Sequence, residues 1–159
     1  MKKINFLNKL KKEKKLELVD PSEEISKSYL EKSESNLISA KILLENNRLE
    51  EAVSLAYYSM YNQLLSLLFE TGIKSENHMG SIILLKEIFS VDNSDILKAK
   101  KERVDKQYYV DFVITRSETE YSIKIAEKFN HILYDFISKI STNDVMKYRD
   151  KFLELIENA

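Results

Sequence analysis

Few side chains in this sequence can move a proton or grip a phosphate. There are two histidines, His78 and His131, and no cysteine. Without cysteine there is no disulfide, no thiolate nucleophile and no zinc–thiolate site. A catalytic triad needs a nucleophile beside a base, and no Ser or Thr is marked as activated by its neighbours. Di-metal helical bundles use Glu-x-x-His pairs. Ser75 stands three residues before His78 and Lys128 three before His131, so that motif is absent. Neither a metal nor a cofactor is expected. His131, among apolar neighbours in a long helical stretch, reads as structural. His78 sits in a polar connection at a helix start, where it either caps backbone groups or meets a ligand.

Two further groups could carry chemistry. Tyr57 and Tyr61 are one helical turn apart and share a face, while Tyr58 lies about 100° round the helix. Three hydroxyls on an apolar helix need partners. They form either an aromatic core or dimer interface, or the stacking wall of a nucleotide site. The second group is the basic stretch Lys98, Lys100, Lys101, Arg103 and Lys106, followed by Tyr108 and Tyr109. Only Glu102 and Asp105 offset it, so residues 98–109 carry +3. Cations beside aromatics can hold a phosphate backbone and stack a base. A solvated helix face would look the same.

The elements that position these groups follow from composition. The 159 residues hold only two Gly and one Pro, with 43% hydrophobic residues. So few turn residues argue against a β-sandwich or barrel. Gly72 and Gly80 sit in no phosphate-binding fingerprint, which excludes a Rossmann unit or P-loop. An all-α domain remains. No run approaches the length of a membrane-spanning helix, and Ile4 to Leu10 is too short and too interrupted for a signal peptide. A cytoplasmic protein with no membrane association is expected.

Along the chain, residues 1–15 carry seven Lys and one acid, a charge of +6 against −1 for the whole. Residues 1–19 read as a basic N-terminal arm or amphipathic helix, and 20–159 as the helical domain. Asp20-Pro21-Ser22-Glu23 predicts a helix start capped by Asp20. That helix runs to about 46, with Ile25, Tyr29, Asn36, Ala40 and Leu44 near one face. A second helix, about 49–71, is apolar nearly all round and must be buried on several sides. Gly72 suits the left-handed position past its end. Residues 73–78 read as a polar connection. Helices follow at about 79–90, 94–108, 116–140 and 142–157, the third of these opened by a Thr115–Glu118 capping box.

The order of these pieces resembles the HEPN domain (higher eukaryotes and prokaryotes nucleotide-binding), in its small stand-alone prokaryotic type, over about residues 24–140. The resemblance rests on Tyr57-Tyr58-Ser59-Met60-Tyr61 inside an apolar helix, Gly72-Ile73, His78 after a polar loop, and Arg103 five residues before Tyr108, similar to an Arg-x-x-Ala-Asp-Tyr element. A long apolar-periodic helix closes the region. It implies an antiparallel four-helix up-and-down bundle with additional short helices, normally a homodimer. Active relatives are metal-independent ribonucleases, often toxins paired with a nucleotidyltransferase-type partner, and carry Arg followed four to six residues later by His. Here Arg103 matches the Arg, but positions 108, 109 and 110 are Tyr, Tyr and Val. RNA transesterification needs a base for the 2′-hydroxyl and stabilisation of the phosphorane charge. Tyr, with a pKa of about 10, is a poor base at neutral pH. The expectation is therefore a dimeric binding module for RNA, a nucleotide or a partner protein. Its ligand would meet Arg103, Lys100, Lys106, Tyr108, Tyr109, Tyr58 and Tyr61. The alternative is a toxin-type ribonuclease using Arg103 with His78 or Tyr108.

Overall fold

The second helix of the sequence reading organises everything else. The computed structural model describes residues 2–157 apart from 109–112, and the side chains of 105–108 also lie outside the description. In chain order the elements are α1 (Lys2–Lys12), β1 (Leu16–Leu18), α2 (Glu23–Glu45), α3 (Leu49–Glu70), β2 (Ile73–Ser75), α4 (His78–Glu87), α5 (Ser94–Tyr108), α6 (Arg116–Ser138) and α7 (Thr142–Glu157). The fold is an all-α bundle. α3 is the buried centre, with Ala56, Tyr57, Met60, Leu64, Leu67 and Leu68 inaccessible to solvent or nearly so. α2, α4, α5 and α6 surround it. A helix apolar over most of its circumference requires such neighbours.

α2 corrects the expected cap, and its expected face holds except at Ile25: Ala40 is buried, and Tyr29 and Leu44 pack on the core. Its N-cap is Ser22, whose hydroxyl accepts from Ile25 N at 3.1 Å, and not Asp20. Its buried positions are Ser26, Ser33 and Ala40, while Ile25 is 41% exposed. Small side chains let two helix backbones approach closely, which bulky ones would prevent. Ser33 donates to the Ser59 carbonyl at 2.7 Å, and the Ser26 and Ser66 hydroxyls share a hydrogen bond of 3.0 Å. Ion pairing of Lys41 with Glu127, and donation from Arg116 to the Leu44 carbonyl, set α2 antiparallel to α6. The Thr115–Glu118 capping box opens α6 as the sequence predicts.

The polar connection after α3 is also corrected. Gly72 takes φ +71, as a left-handed helix terminus demands. Residues 73–75 then form β2, antiparallel to β1, in the register Leu16↔Ser75, Glu17↔Lys74 and Leu18↔Ile73. The basic segment before β1 is docked rather than solvated: α1 buries Leu7 (0% exposed) and Leu10 (3% exposed), and packs on α4 and α7. From α7, Arg149 Nη1 reaches the carbonyls of Val19 (2.7 Å), Thr71 (3.1 Å) and Gly72 (3.0 Å), tying the joint between α3 and β2 to both ends of the chain.

Because Leu7 fills a closed site, Leu7→Ala should cost about 2–5 kcal/mol of folding stability. Chemical denaturation checks this. A cost within a few tenths of zero would show that α1 is not held to the core through Leu7.

Candidate functional site

The three tyrosines of α3 lead outward to a cluster built from three helices. Tyr57 is fully buried, and its hydroxyl lies 2.8 Å from His78 Nδ1. Tyr61 stacks on the His78 ring at 3.8 Å between centroids and 17° between planes, and its hydroxyl is 3.3 Å from Ser81 Oγ. Tyr58, half-buried, accepts from Arg103 Nη1 at 3.0 Å. The Arg103 guanidinium lies 5.3 Å from the Tyr58 ring centre and 5.5 Å from that of Tyr57, within cation–π range. Arg103, His78, Tyr58 and Tyr61 therefore form one group, although up to 45 residues separate them in sequence.

Each side chain is held by its own element. His78 is the first residue of α4, fixed by the N-cap Asn77, whose Oδ1 accepts from Gly80 N at 2.8 Å. Behind it, Ser81 Oγ lies 2.7 Å from Ser75 Oγ and 3.0 Å from the Asn77 carbonyl oxygen, joining β2 to α4. Asn93 donates to the buried Ile82 carbonyl at 2.9 Å, so the turn into α5 is anchored on α4. Further along α5, Glu102 accepts from Ser122 of α6 at 3.0 Å. These two ties fix the line on which Arg103 leaves α5. Asn77, Ser75 and Ser81 are the participants that the sequence reading missed. The Asn77–Gly80 spacing is the cap signal that could have revealed the first.

The electrostatics are those of a cationic pocket edge. Burial, then the nearby charges of Arg103 and Lys100, push the His78 pKa below its ordinary 6.5, so its imidazole is neutral at pH 7. Burial pushes the Tyr57 phenol far above its usual range, and raises Tyr61 as well, so both stay protonated. Beside the cluster an open groove of about 630 Å³ is lined by Tyr58, Arg103, Ser54, Leu55, Glu50 and Glu51 among others. Its far wall is acidic, although Glu51 is paired with Arg48 at 2.5 Å. Lys100 is half-buried on α5. Lys106 and Tyr108 lie on the last turn of α5, with side chains outside the described atoms, and Tyr109 lies outside the described residues. His131 is exposed on α6, not set in the core. Among the described residues no three His, Cys, Asp or Glu gather to hold a metal, and no helix is long and apolar enough to cross a membrane.

The sequence pattern of the HEPN domain matches residues 26–137, which takes in all four clustered side chains. The chain belongs to the HEPN domain family. Two named proteins are similar to parts of the chain. The UPF0332 protein PH1297 of Pyrococcus horikoshii is 41% identical over 64 residues, 40% of this chain and 44% of that protein. A Methanocaldococcus jannaschii protein named "Putative toxin MJ0605" is 31% identical over 117 residues, 69% of this chain and 86% of that protein. The HEPN match ends before α7 and begins after α1 and β1, so the docked flanks lie outside it.

The charges around His78 give a direct check. Its imidazole should titrate below 6.5 by NMR, and Arg103→Gln should move the midpoint upward by removing a positive neighbour. The folded value is depressed, so the unfolded chain binds the proton more readily. The stability this group contributes is thus present above 6.5 and lost as pH falls through the folded value. An unmoved midpoint in the variant would separate Arg103 from His78.

Proposed function

We propose that this HEPN protein is a binding module for a phosphate-bearing ligand, RNA or a nucleotide, acting as a homodimer. The carrying observation is the Arg103 guanidinium held against two tyrosine rings beside a neutral histidine. A guanidinium presents a planar fork of donors that matches phosphate oxygens. The neighbouring ring faces suit base stacking, and Lys100 adds charge without a fixed geometry. A protein partner of nucleotidyltransferase type, as the family resemblance implies, would be the binding target if every nucleotide and RNA tested proved weak.

A second reading, a metal-independent ribonuclease of toxin type, is favoured by one specific observation: His78 stands in the same cluster as Arg103. If Nδ1–H donates to Tyr57 Oη, then Nε2 is left as an acceptor able to take a 2′-hydroxyl proton. If Tyr57 donates instead, Nε2 carries the hydrogen and can only give one. The depressed pKa keeps the ring neutral at pH 7 in both cases. The relative named as a toxin fits this reading, while the absence of His at positions 108–110 fits the first.

One experiment separates them. End-labelled RNA is incubated with the protein in EDTA, and affinity and cleavage are followed for wild type, Arg103→Ala and His78→Gln. Binding without cutting is expected. Arg103→Ala should weaken binding about 10- to 100-fold, the equivalent of a charged hydrogen bond worth ~1.5–3 kcal/mol. Cleavage lost in both variants would establish the ribonuclease, and affinity untouched by Arg103→Ala would remove the site.

A further inference from the structure

We infer that the lysines closing α1 form a second contact surface for RNA, continuous with the Arg103–His78 cluster, and that a bound strand leaves the cluster toward α1. This rests on the reading of that cluster as a phosphate site. α1 runs antiparallel to α4. Near its start Lys3 reaches Glu87 at the end of α4 (3.8 Å), and near its end Leu10 packs on Gly80, where an added Cβ would lie 2.7 Å from Leu10 Cδ1. The chain then passes Lys14 and Lys15, and the Lys15 carbonyl accepts from Glu76 N at 2.9 Å. Glu76 is two residues from His78, so their Cα atoms are at most about 7.6 Å apart. The lysine-rich end of α1 therefore abuts the loop that carries the histidine.

Charge sets the direction. At this edge Glu13 is engaged by Lys9 and Lys15, and Glu17 and Glu76 by Lys74. Lys11, Lys12 and Lys14 are exposed and form no ion pair among the described residues. On the other side of Arg103, along α3 toward its start, stand Glu50 and Glu51. A polyanion is repelled at that wall and attracted at the rim. The apolar side of α1, Leu7 and Leu10, is buried in the protein, which removes it from membrane insertion and leaves the lysines as its accessible face.

Lys14 also offers a substitution that removes its charge without a cost to the backbone. It has φ +58, with Lys14 N bonded to the Lys11 carbonyl and Lys15 N to the Leu10 carbonyl, the arrangement of a helix end that favours glycine. A lysine there is strained relative to glycine. Asn47 after α2 and Ser90 after α4 take the same conformation, at φ 58 and 56.

The test compares short and long RNA. Oligonucleotides of about 4 and about 16 nucleotides, the range covered by single-strand binding domains, are titrated against wild type, Arg103→Gln, the triple variant Lys11→Gln/Lys12→Gln/Lys14→Gln, and Lys14→Gly. The triple variant should lose about tenfold on the long RNA, leave the short one unchanged, and lower the log–log salt slope by about 2, near 0.7 for each lost contact. Lys14→Gly should weaken long-RNA binding while keeping or raising the melting temperature, a pairing that a merely structural lysine would not give. Arg103→Gln should weaken both lengths. If Arg103 matters and the triple variant binds long RNA like wild type, the rim proposal fails and the cluster stands. If the lysines matter and Arg103 does not, the cluster fails and the rim stands on its own. No RNA binding by wild type overturns both.

Discussion

A phenol hydroxyl taken out of water must find a partner, at a cost of about 1–3 kcal/mol if it does not. α3 places three of them on a helix that is apolar on every side, and this requirement organises the centre of the molecule. The partners come from outside α3: His78 for Tyr57, Ser81 for Tyr61 and Arg103 for Tyr58. Two of the three are carried by α4 and one by α5. Satisfying the interior hydroxyls thus gathers an imidazole and a guanidinium at one edge of the bundle. The candidate site is the place where the polar demands of the buried helix meet solvent.

Much of this architecture could be read from the chain because its signals are local. The all-round hydrophobicity of α3, the glycine past its end and the capping box before α6 each depend on a few neighbouring residues, and each stands where expected. What was not legible is non-local. The β1–β2 ladder has three residue pairs joined across 55 to 59 positions of chain, too short for any alternation to register. On the inner face of α2, periodicity finds Tyr29, Ala40 and Leu44 but misses Ser26 and Ser33, because it counts apolar residues whereas close approach to α3 selects small ones. Within the site, the residue types were visible but not their pairing, since Tyr58 meets Arg103 only after α4 and its turn have been folded between them.

Burial first, and then the cations beside it, hold the histidine of the candidate site neutral. Arg103 and Lys100 oppose a proton on His78 because they make the local potential positive. A positive potential in a partly desolvated place attracts a phosphate for the same reason it repels a proton. Occupancy by an anion would cancel the field at His78 and make the imidazole more basic. Ligand binding and proton affinity are then one equilibrium seen from two sides, and a histidine neutral in the empty site would become a better proton acceptor when a phosphate diester arrives.

The flanks outside the family match bear on that histidine as well. α1 and β1 precede the matched region and α7 follows it, yet they converge on one joint. β1 pairs with β2 just before α4, Leu10 fills the space over Gly80, and Arg149 binds the carbonyls of Val19, Thr71 and Gly72. Gly72 is required there twice, by its positive φ and because a side chain would collide with Arg149 and the Val19 carbonyl. The matched core supplies the tyrosines, the arginine and the histidine, and the flanks lock the backbone from which the histidine projects. Such a lock matters most for a group that must hold a fixed relation to another helix. A displacement of α4 by one ångström would break the 2.8 Å contact of His78 with Tyr57, and with it the link between imidazole and guanidinium.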